Sequence, residues 1–305
     1  MSFAQDVKNE IVQKKQNKPC CALAACYGIA CFGRYFDERG IVLNTELQAV
    51  AQYARRCFAQ CGIVGEVVEK QRPSGLVYEF KIDQPAEIEK ILEIFHCQAD
   101  QISLRIDPYF FQCTNCFHAF VSSAFLCCGT MTDPQKEYNM EFLCTRYNLA
   151  HDLEAILGEY EFGPHLTVRK GLNVVYVKTS TQLEDLLAFM GAGNSAMRLM
   201  DLKMFKEIRN KTNRLTNCET ANMDKIVTAN VQAVKAINYL KQENAFDALN
   251  ETLRQTAQLR LDWPELSLAQ LAEKSDPPVS KSGLSHRLKK LEQIAHGMQQ
   301  RRNNG

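Results

Sequence analysis

The chain has 305 residues, 46% of them hydrophobic and 23% charged, with a net charge of +1. These are the proportions of an ordinary soluble globular protein, long enough for two domains with real cores. No apolar run approaches a membrane span, and the opening MSFAQDVKNEIVQKKQNK mixes acid and base without an apolar stretch. No secretory leader is expected from such a stretch, and the expectation is a cytoplasmic protein with no membrane contact.

The first expected helix covers Phe3 to Gln13 and breaks at Asn17-Lys18-Pro19. An apolar helix then runs from Cys20 to about Phe32, and Gly33 ends it. Strands follow near Gly33 to Phe36 and Gly40 to Leu47, joined by the polar turn Asp37-Glu38-Arg39-Gly40. A helix from Gln48 to Cys61 leads to strands Gly65 to Gln71 and Leu76 to Ile82, separated by Arg72-Pro73-Ser74-Gly75. A helix from Pro85 to Phe95 closes the unit.

The same order then returns. A shift of 96 lays Cys20 on Cys116, Ile29 on Phe125, Cys31 on Cys127, Gly33 on Gly129 and Asp37 on Asp133. A shift of 95 lays Asn44, Glu46 and Leu47 on Asn139, Glu141 and Phe142, and Ile88, Ile91, Leu92 and Phe95 on Leu183, Leu186, Leu187 and Met190. Element order and apolar phase survive over a whole unit, which indicates an internal duplication. Each half reads αββαββα, so the larger part of the chain is expected to be α+β. One helix of each copy is rich in small residues: Ala22, Ala24, Ala25, Gly28 and Ala30, then Ala119, Ser122, Ser123 and Ala124. Small side chains allow close approach, so these two helices are expected to pack together across a pseudo-twofold axis.

This pattern resembles the LAGLIDADG homing endonucleases, whose paired helices each end in an acidic residue that binds a catalytic metal. Here the helix ends read Phe32-Gly33-Arg34 and Cys128-Gly129-Thr130, with no acid between Ala22 and Phe36 or between Phe120 and Thr132. Metal-assisted phosphodiester cleavage needs carboxylates, and these residues offer none. Asp37 and Asp133 are equivalent across the repeat but fall in turns beyond the first strands. The expectation is a retained fold without catalytic residues.

Thirteen cysteines invite a disulfide or metal reading. The one pair with ligand spacing is Cys113 and Cys116, followed by His118, and no second CxxC completes four ligands. Cys127 or Cys128 would be unusual additions. In a reducing compartment the expectation is free, buried thiols, with no metal and no cofactor.

From Asn194 to Lys211 a helix with a basic face reads as a connector. The polar run Asn213-Arg214-Leu215-Thr216-Asn217-Cys218-Glu219-Thr220-Ala221-Asn222 offers capping groups and is expected to open a helix from about Thr220 to Gln242. Another helix spans Ala245 to Leu261 and ends at Trp263-Pro264, with Trp263 expected to plug the adjacent core. Ser267 can cap a short helix carrying Leu268, Leu271 and Ala272. Asp276-Pro277-Pro278 stops it, and Ser280 is placed to cap a last helix. Its apolar face holds Leu284, Leu288, Leu291, Ile294 and Ala295. At about 100° per residue, Ser282, Ser285, His286 and Lys289 share the opposite face, with Lys281, Arg287 and Lys290 nearer its edges. A solvated helical hairpin would show the same pattern, but a helix in a DNA major groove makes use of such donors. The tail from Gln299 is polar and expected to fray.

Charge supports the groove reading. Residues 1–200 hold 19 Lys and Arg against 23 Asp and Glu, whereas 201–305 hold 17 against 12. The balance is thus −4 against +5, which directs a polyanion to the C-terminal third.

The duplicated unit, the NRLTNCETAN segment and SKSGLSHRLKKL together resemble the sporulation-regulator WhiA family across essentially the whole chain. That resemblance implies an N-terminal helix at 1–19, LAGLIDADG-like repeats at 20–97 and 98–193, a linker helix at 194–212 and an all-α helix-turn-helix domain at 213–305. It also implies a nucleoid-associated, sequence-specific transcriptional regulator linked to cell division, chromosome segregation or sporulation, and not an enzyme. Its partner would be double-stranded DNA, contacted by Ser280, Lys281, Ser282, Ser285, His286, Arg287, Lys289 and Lys290, with a dimer mate or another transcription regulator as further partners. The alternatives are a metal-dependent endonuclease and an adaptor that binds protein or ligand through the duplicated unit.

Overall fold

The computed structural model describes residues 2–73, 75–97 and 104–303. Ser74 of the expected second turn, the start of the second repeat at 98–103, and the tail residues Asn304 and Gly305 lie outside these ranges. The chain divides into two compact units, 1–207 and 208–305.

In the first unit, α1 (Phe3–Ile11) precedes α2 (Pro19–Phe32), β1 (Tyr35–Asp37), β2 (Gly40–Thr45), α3 (Gln48–Gln60), β3 (Glu66–Arg72), β4 (Gly75–Ile82) and α4 (Pro85–Ile94). A single 3-10 turn at Pro108–Phe110 leads into α5 (Thr114–Cys128), β5 (Gly129–Met131), β6 (Met140–Cys144), α6 (Tyr147–Glu159), β7 (His165–Arg169), β8 (Leu172–Val177) and α7 (Ser180–Met190). Both repeats are therefore αββαββα, as the shift of about 95 residues implied. Their sheets match strand for strand: β1-β2-β4-β3 and β5-β6-β8-β7, antiparallel throughout.

The two small-residue helices meet at the centre. Ala22, Ala24, Ala25 and Ala30 of α2 and Ser123 and Ala124 of α5 are almost fully buried. Gly28 shows how close the approach is, because a Cβ there would lie 2.7 Å from the Phe120 carbonyl oxygen. Around this seam Leu43, Phe80 and Ile82 from the first sheet and Met140, Phe142 and Val175 from the second complete one continuous core.

Helix α1 does more than precede this unit. The Lys8 ammonium donates to the Leu126 carbonyl at 3.2 Å, at the C-terminal end of α5, where helix carbonyls lack partners. Burial pushes the Lys8 pKa down. Two residues on, the Glu10 carboxylate accepts from the backbone amides of Asn194 (2.7 Å) and Ser195 (3.0 Å) and from the Ser195 hydroxyl (2.8 Å). These amides open α8 (Gly193–Gln242), so its N-terminus is capped by a side chain from α1.

At 50 residues α8 corrects the expectation of two helices meeting near 212–220. No Gly or Pro occurs between Ala196 and Gln242, so the polar run contains amides but no breaker. Residues 207–229 are exposed, and the NRLTNCETAN amides lie in mid-helix and do not cap it.

In the second unit, the end of α8 packs with α9 (Glu251–Asp262), α10 (Leu268–Glu273) and α11 (Lys281–Asn303). Ile237, Leu240, Leu253, Leu271, Leu284 and Leu291 form the centre of its core. Trp263 departs from the expected plug: it is 41% exposed, with the Lys274 ammonium 4.2 Å from its ring centroid. The buried side chain beside this turn is Arg260. Its guanidinium donates to the carbonyls of Leu266 (2.8 Å), Trp263 (3.4 Å) and Pro264 (3.4 Å), fixing the link from α9 to α10. The expected frayed tail is also corrected, since α11 continues to Asn303.

Candidate nucleic-acid interface

Two caps set the geometry of the helix pair. The Ser267 hydroxyl accepts from the Gln270 amide, while the Gln270 side chain accepts from the Ser267 amide at 3.1 Å, a reciprocal capping box. The Ser280 hydroxyl accepts from the Gly283 amide at 3.1 Å and lies 3.1 Å from the Ser282 hydroxyl. Ser280 thus caps α11, as its position in the sequence led one to expect.

Leu284, Leu288, Leu291 and Ala295 are buried against α9 and α10, which fixes the rotation of α11. The face turned to solvent presents Lys281, Ser282, His286, Lys289 and Lys290 as exposed residues, with Ser285 and Arg287 half-buried at its margins. None of the four cations among them is ion-paired among the described residues. Glu292, one turn beyond Lys289, has its carboxyl pushed up by burial and drawn back by Lys289. The same stripe continues to Gln293 and His296, both exposed. They were missed in the sequence, although extending the 100° arithmetic past Lys290 finds them.

Comparison with known proteins fits this division. The family model of the WhiA LAGLIDADG-like domain matches residues 117–209, and that of the WhiA C-terminal HTH domain matches residues 212–295. A probable cell division protein WhiA from Lachnoclostridium phytofermentans is 35% identical over 98% of this chain and 100% of its own length. Its counterpart from Thermoanaerobacter pseudethanolicus is 31% identical over 99% of both.

The chain belongs to the WhiA family.

Among solved structures, full-length WhiA from Thermatoga maritima covers 97% of this chain and 98% of its own, with a TM-score of 0.62 at 18% identity. At that identity the likeness concerns the fold alone.

In this WhiA chain the LAGLIDADG-like unit keeps the paired helices and changes their ends. Glycine stands at both: Gly33 after α2 and Gly129 after α5. A Cβ at Gly33 would lie 2.7 Å from the Ile29 carbonyl oxygen, and one at Gly129 would lie 2.2 Å from the Phe125 ring. Three of the four carboxylates weighed for metal binding are engaged elsewhere. Asp37 closes β1, and its fork with Arg39, at 2.6 Å, holds its carboxyl below the usual range. Asp133 accepts from the Gln135 amide in a turn at 2.9 Å. Burial works to raise Glu141, but Asn139 and Arg169 outweigh it and hold the carboxyl low. Glu46 is exposed.

The cysteines gave the larger surprise. Cys20 and Cys21 in the first turn of α2 meet Cys113 and Cys116 at the start of α5, and all four sulfurs lie within 4.8 Å of one another. Among the described residues this is the one set of His, Cys, Asp or Glu side chains gathered closely enough to hold an ion. The set differs from that considered in the sequence. His118 stacks on Phe189 at 3.8 Å, and Cys127 and Cys128 sit at the far end of α5. A hydrogen bond from Cys116, opposed by burial and reinforced by Cys21 and Cys20, draws the Cys113 thiol down to about 7.

Proposed function

We propose that this WhiA-family chain is a sequence-specific DNA-binding regulator of transcription, with α11 seated in the major groove. The observation that carries this reading is the outer face of α11, where four cations without an ion pair among the described residues flank hydroxyls and an imidazole. A merely solvated helix gains little from leaving so many cations without carboxylates, whereas phosphates would replace the missing partners. Lys281, Arg287, Lys289 and Lys290 are assigned to phosphates, and Ser282, Ser285 and His286 to base edges. Ser280 contributes by presenting the first turn.

The LAGLIDADG-like unit acts in this reading as a scaffold without nuclease activity, a view supported by glycines at both helix ends and carboxylates committed to arginines and turns. The names of the relatives support targets in cell division, and the family resemblance extends these to chromosome segregation or sporulation. The site of action is the nucleoid in the cytoplasm. Among the described residues no helix is long and apolar enough to cross a membrane.

A second partner has its own support. Met197, Met200, Met204, Phe205 and Ile208 of α8 are each about half exposed or more, an apolar stripe suited to a dimer mate or another regulator. One recognition helix reads a short site, so a second reader would lengthen it.

The deciding experiment is a footprint of purified protein on chromosomal DNA, repeated with the Lys289→Ala, Lys290→Ala double variant. Discrete protected sites that vanish in the variant are expected. Identical footprints would dismiss the groove assignment. Plasmid cutting with Mg²⁺ that disappears in Asp37→Ala or Asp133→Ala would dismiss the inactive-scaffold reading.

A further inference from the structure

The four cysteines at the head of the α2–α5 seam are arranged as a coordination shell. Cys113 Sγ lies 3.8 Å from Cys20 Sγ, 3.6 Å from Cys21 Sγ and 3.5 Å from Cys116 Sγ. A tetrahedron with metal–sulfur bonds of about 2.3 Å has sulfur–sulfur edges of about 3.8 Å. Disulfides would need about 2.0 Å, and all four thiols are free.

The surroundings act on these thiols in two directions: burial pushes Cys21 and Cys116 up, and the helix ends oppose it. Cys20 and Cys21 open α2, a helix of 14 residues, and Cys113 caps α5, a helix of 15 residues with Cys116 in its first turn. Two helix N-termini thus direct their positive ends at the sulfurs. Lys14, Lys15 and Lys18 line a cavity of about 460 Å³ that also reaches Cys21. A divalent ion with four thiolates carries a net charge of −2, which the positive ends of the two helices oppose.

We infer that Cys20, Cys21, Cys113 and Cys116 form a structural zinc site joining the two LAGLIDADG-like repeats. Soft sulfur ligands in a tetrahedron select zinc or a single iron, while multi-iron clusters spread their cysteines around a larger inorganic core. All four positions are filled by protein, so the ion is structural, with no open position for a reacting water. Binding releases the thiol protons to solvent. Two ligands come from each repeat, about 92 residues apart in sequence. The metal therefore clamps the end of the seam opposite Gly33 and Gly129.

The test uses the full-length chain, purified without chelator or affinity tag from cells grown with added zinc, and elemental analysis by mass spectrometry. About one zinc per chain is expected. The Cys113→Ser, Cys116→Ser double variant should retain less than about a tenth of that, while Cys26→Ser, outside the cluster, should retain all of it. Because the double variant can fail to fold, wild-type protein stripped by a chelator is also titrated with Co²⁺. Intense thiolate-to-cobalt charge-transfer bands with tetrahedral d–d bands are expected, bleached by stoichiometric Zn²⁺. Protein free of metal that gives only octahedral cobalt spectra overturns the inference. So does zinc retained in the folded double variant, or iron in place of zinc.

Discussion

The strands of the LAGLIDADG-like unit and the outer face of α11 both carry lysines and arginines, yet they treat them differently. On the strands Lys70 pairs with Glu79 at 2.5 Å, Arg169 with Glu141 at 2.6 Å and Lys81 with Asp83 at 2.7 Å. On the outer face of α11, Lys281, Arg287, Lys289 and Lys290 have no ion pair among the described residues, and only further along does Arg302 pair with Glu243. Net charge alone would have missed this, because at +1 the whole chain is nearly neutral. A cation already neutralised by a carboxylate must give up that partner before it can displace the counterions condensed on DNA phosphates, whereas an unpaired one displaces them directly. Under the proposed function, the pairing pattern, more than the count, separates the scaffold from the nucleic-acid reader.

The sharpest way to break this contrast is to remove the unpaired charges. The Lys281→Ala, Lys289→Ala, Lys290→Ala triple variant should flatten the salt dependence of DNA binding by about 2.7 units, at roughly 0.9 per lost phosphate contact. Between about 50 and 200 mM salt that amounts to a roughly fortyfold difference in response, read by fluorescence anisotropy. An unaltered slope would sink the assignment.

His286→Ala should act on sequence preference. It is expected to cost about 1–3 kcal/mol between the preferred site and a mismatched one, with the salt slope nearly unchanged. Competition binding against point-mutated sites measures it, and a uniform loss across all sites would move His286 to the phosphate group.

Within the LAGLIDADG-like unit, Asp152 offers a pH test. Burial works to raise its carboxyl, but the Arg105 fork (2.8 and 2.5 Å) and the Ile106 amide (2.9 Å) outweigh it and hold it below the ordinary value. A depressed folded-state pKa contributes stability that is present above the unfolded pKa and is lost as pH falls through the folded one. Asp152→Asn should therefore be destabilising at neutral pH by about 1–2 kcal/mol, discounted for the exposed Arg105, and its deficit should shrink on acidification. A deficit constant with pH, measured by denaturant titration, would rule out this linkage.

Ser280→Ala should destabilise the second unit by about 1 kcal/mol through the lost cap. Ser280→Asp, another good cap, should restore most of it. The smallest effect is the control for the comparison: Lys70→Ala with Arg169→Ala should leave the salt slope of DNA binding where it was. A drop of one unit or more would show that the strands touch DNA after all.

Much of this was legible in the sequence because the signals were local or periodic. The repeat could be read from turns and apolar phase, and the rotation of α11 from Leu284, Leu288 and Leu291. Misreadings came where a local signal had a distant answer. The NRLTNCETAN amides looked like caps, but a helix needs a breaker to end, and none is present. Trp263 looked like the natural plug, yet three backbone carbonyls turned inward and Arg260 was the side chain able to donate to all of them. Cys20-Cys21 lacks the CxxC spacing that flags a ligand pair. The duplication laid Cys20 on Cys116, but only the packing of α2 against α5 brings the pairs together. Lys8 and Glu10 gave no sign of their roles, because the groups they satisfy belong to α5 and α8.

Those glycines at the ends of α2 and α5 also bear on ancestry. In a LAGLIDADG nuclease, loss of a carboxylate can be reversed by one codon change. Here Gly33→Asp would drive a Cβ against the Ile29 carbonyl, Gly129→Asp would drive one into the Phe125 ring, and Lys8 already supplies a positive charge at the end of α5. A carboxylate placed at either helix end would therefore weaken the packing of α2 or α5 before it could hold a metal.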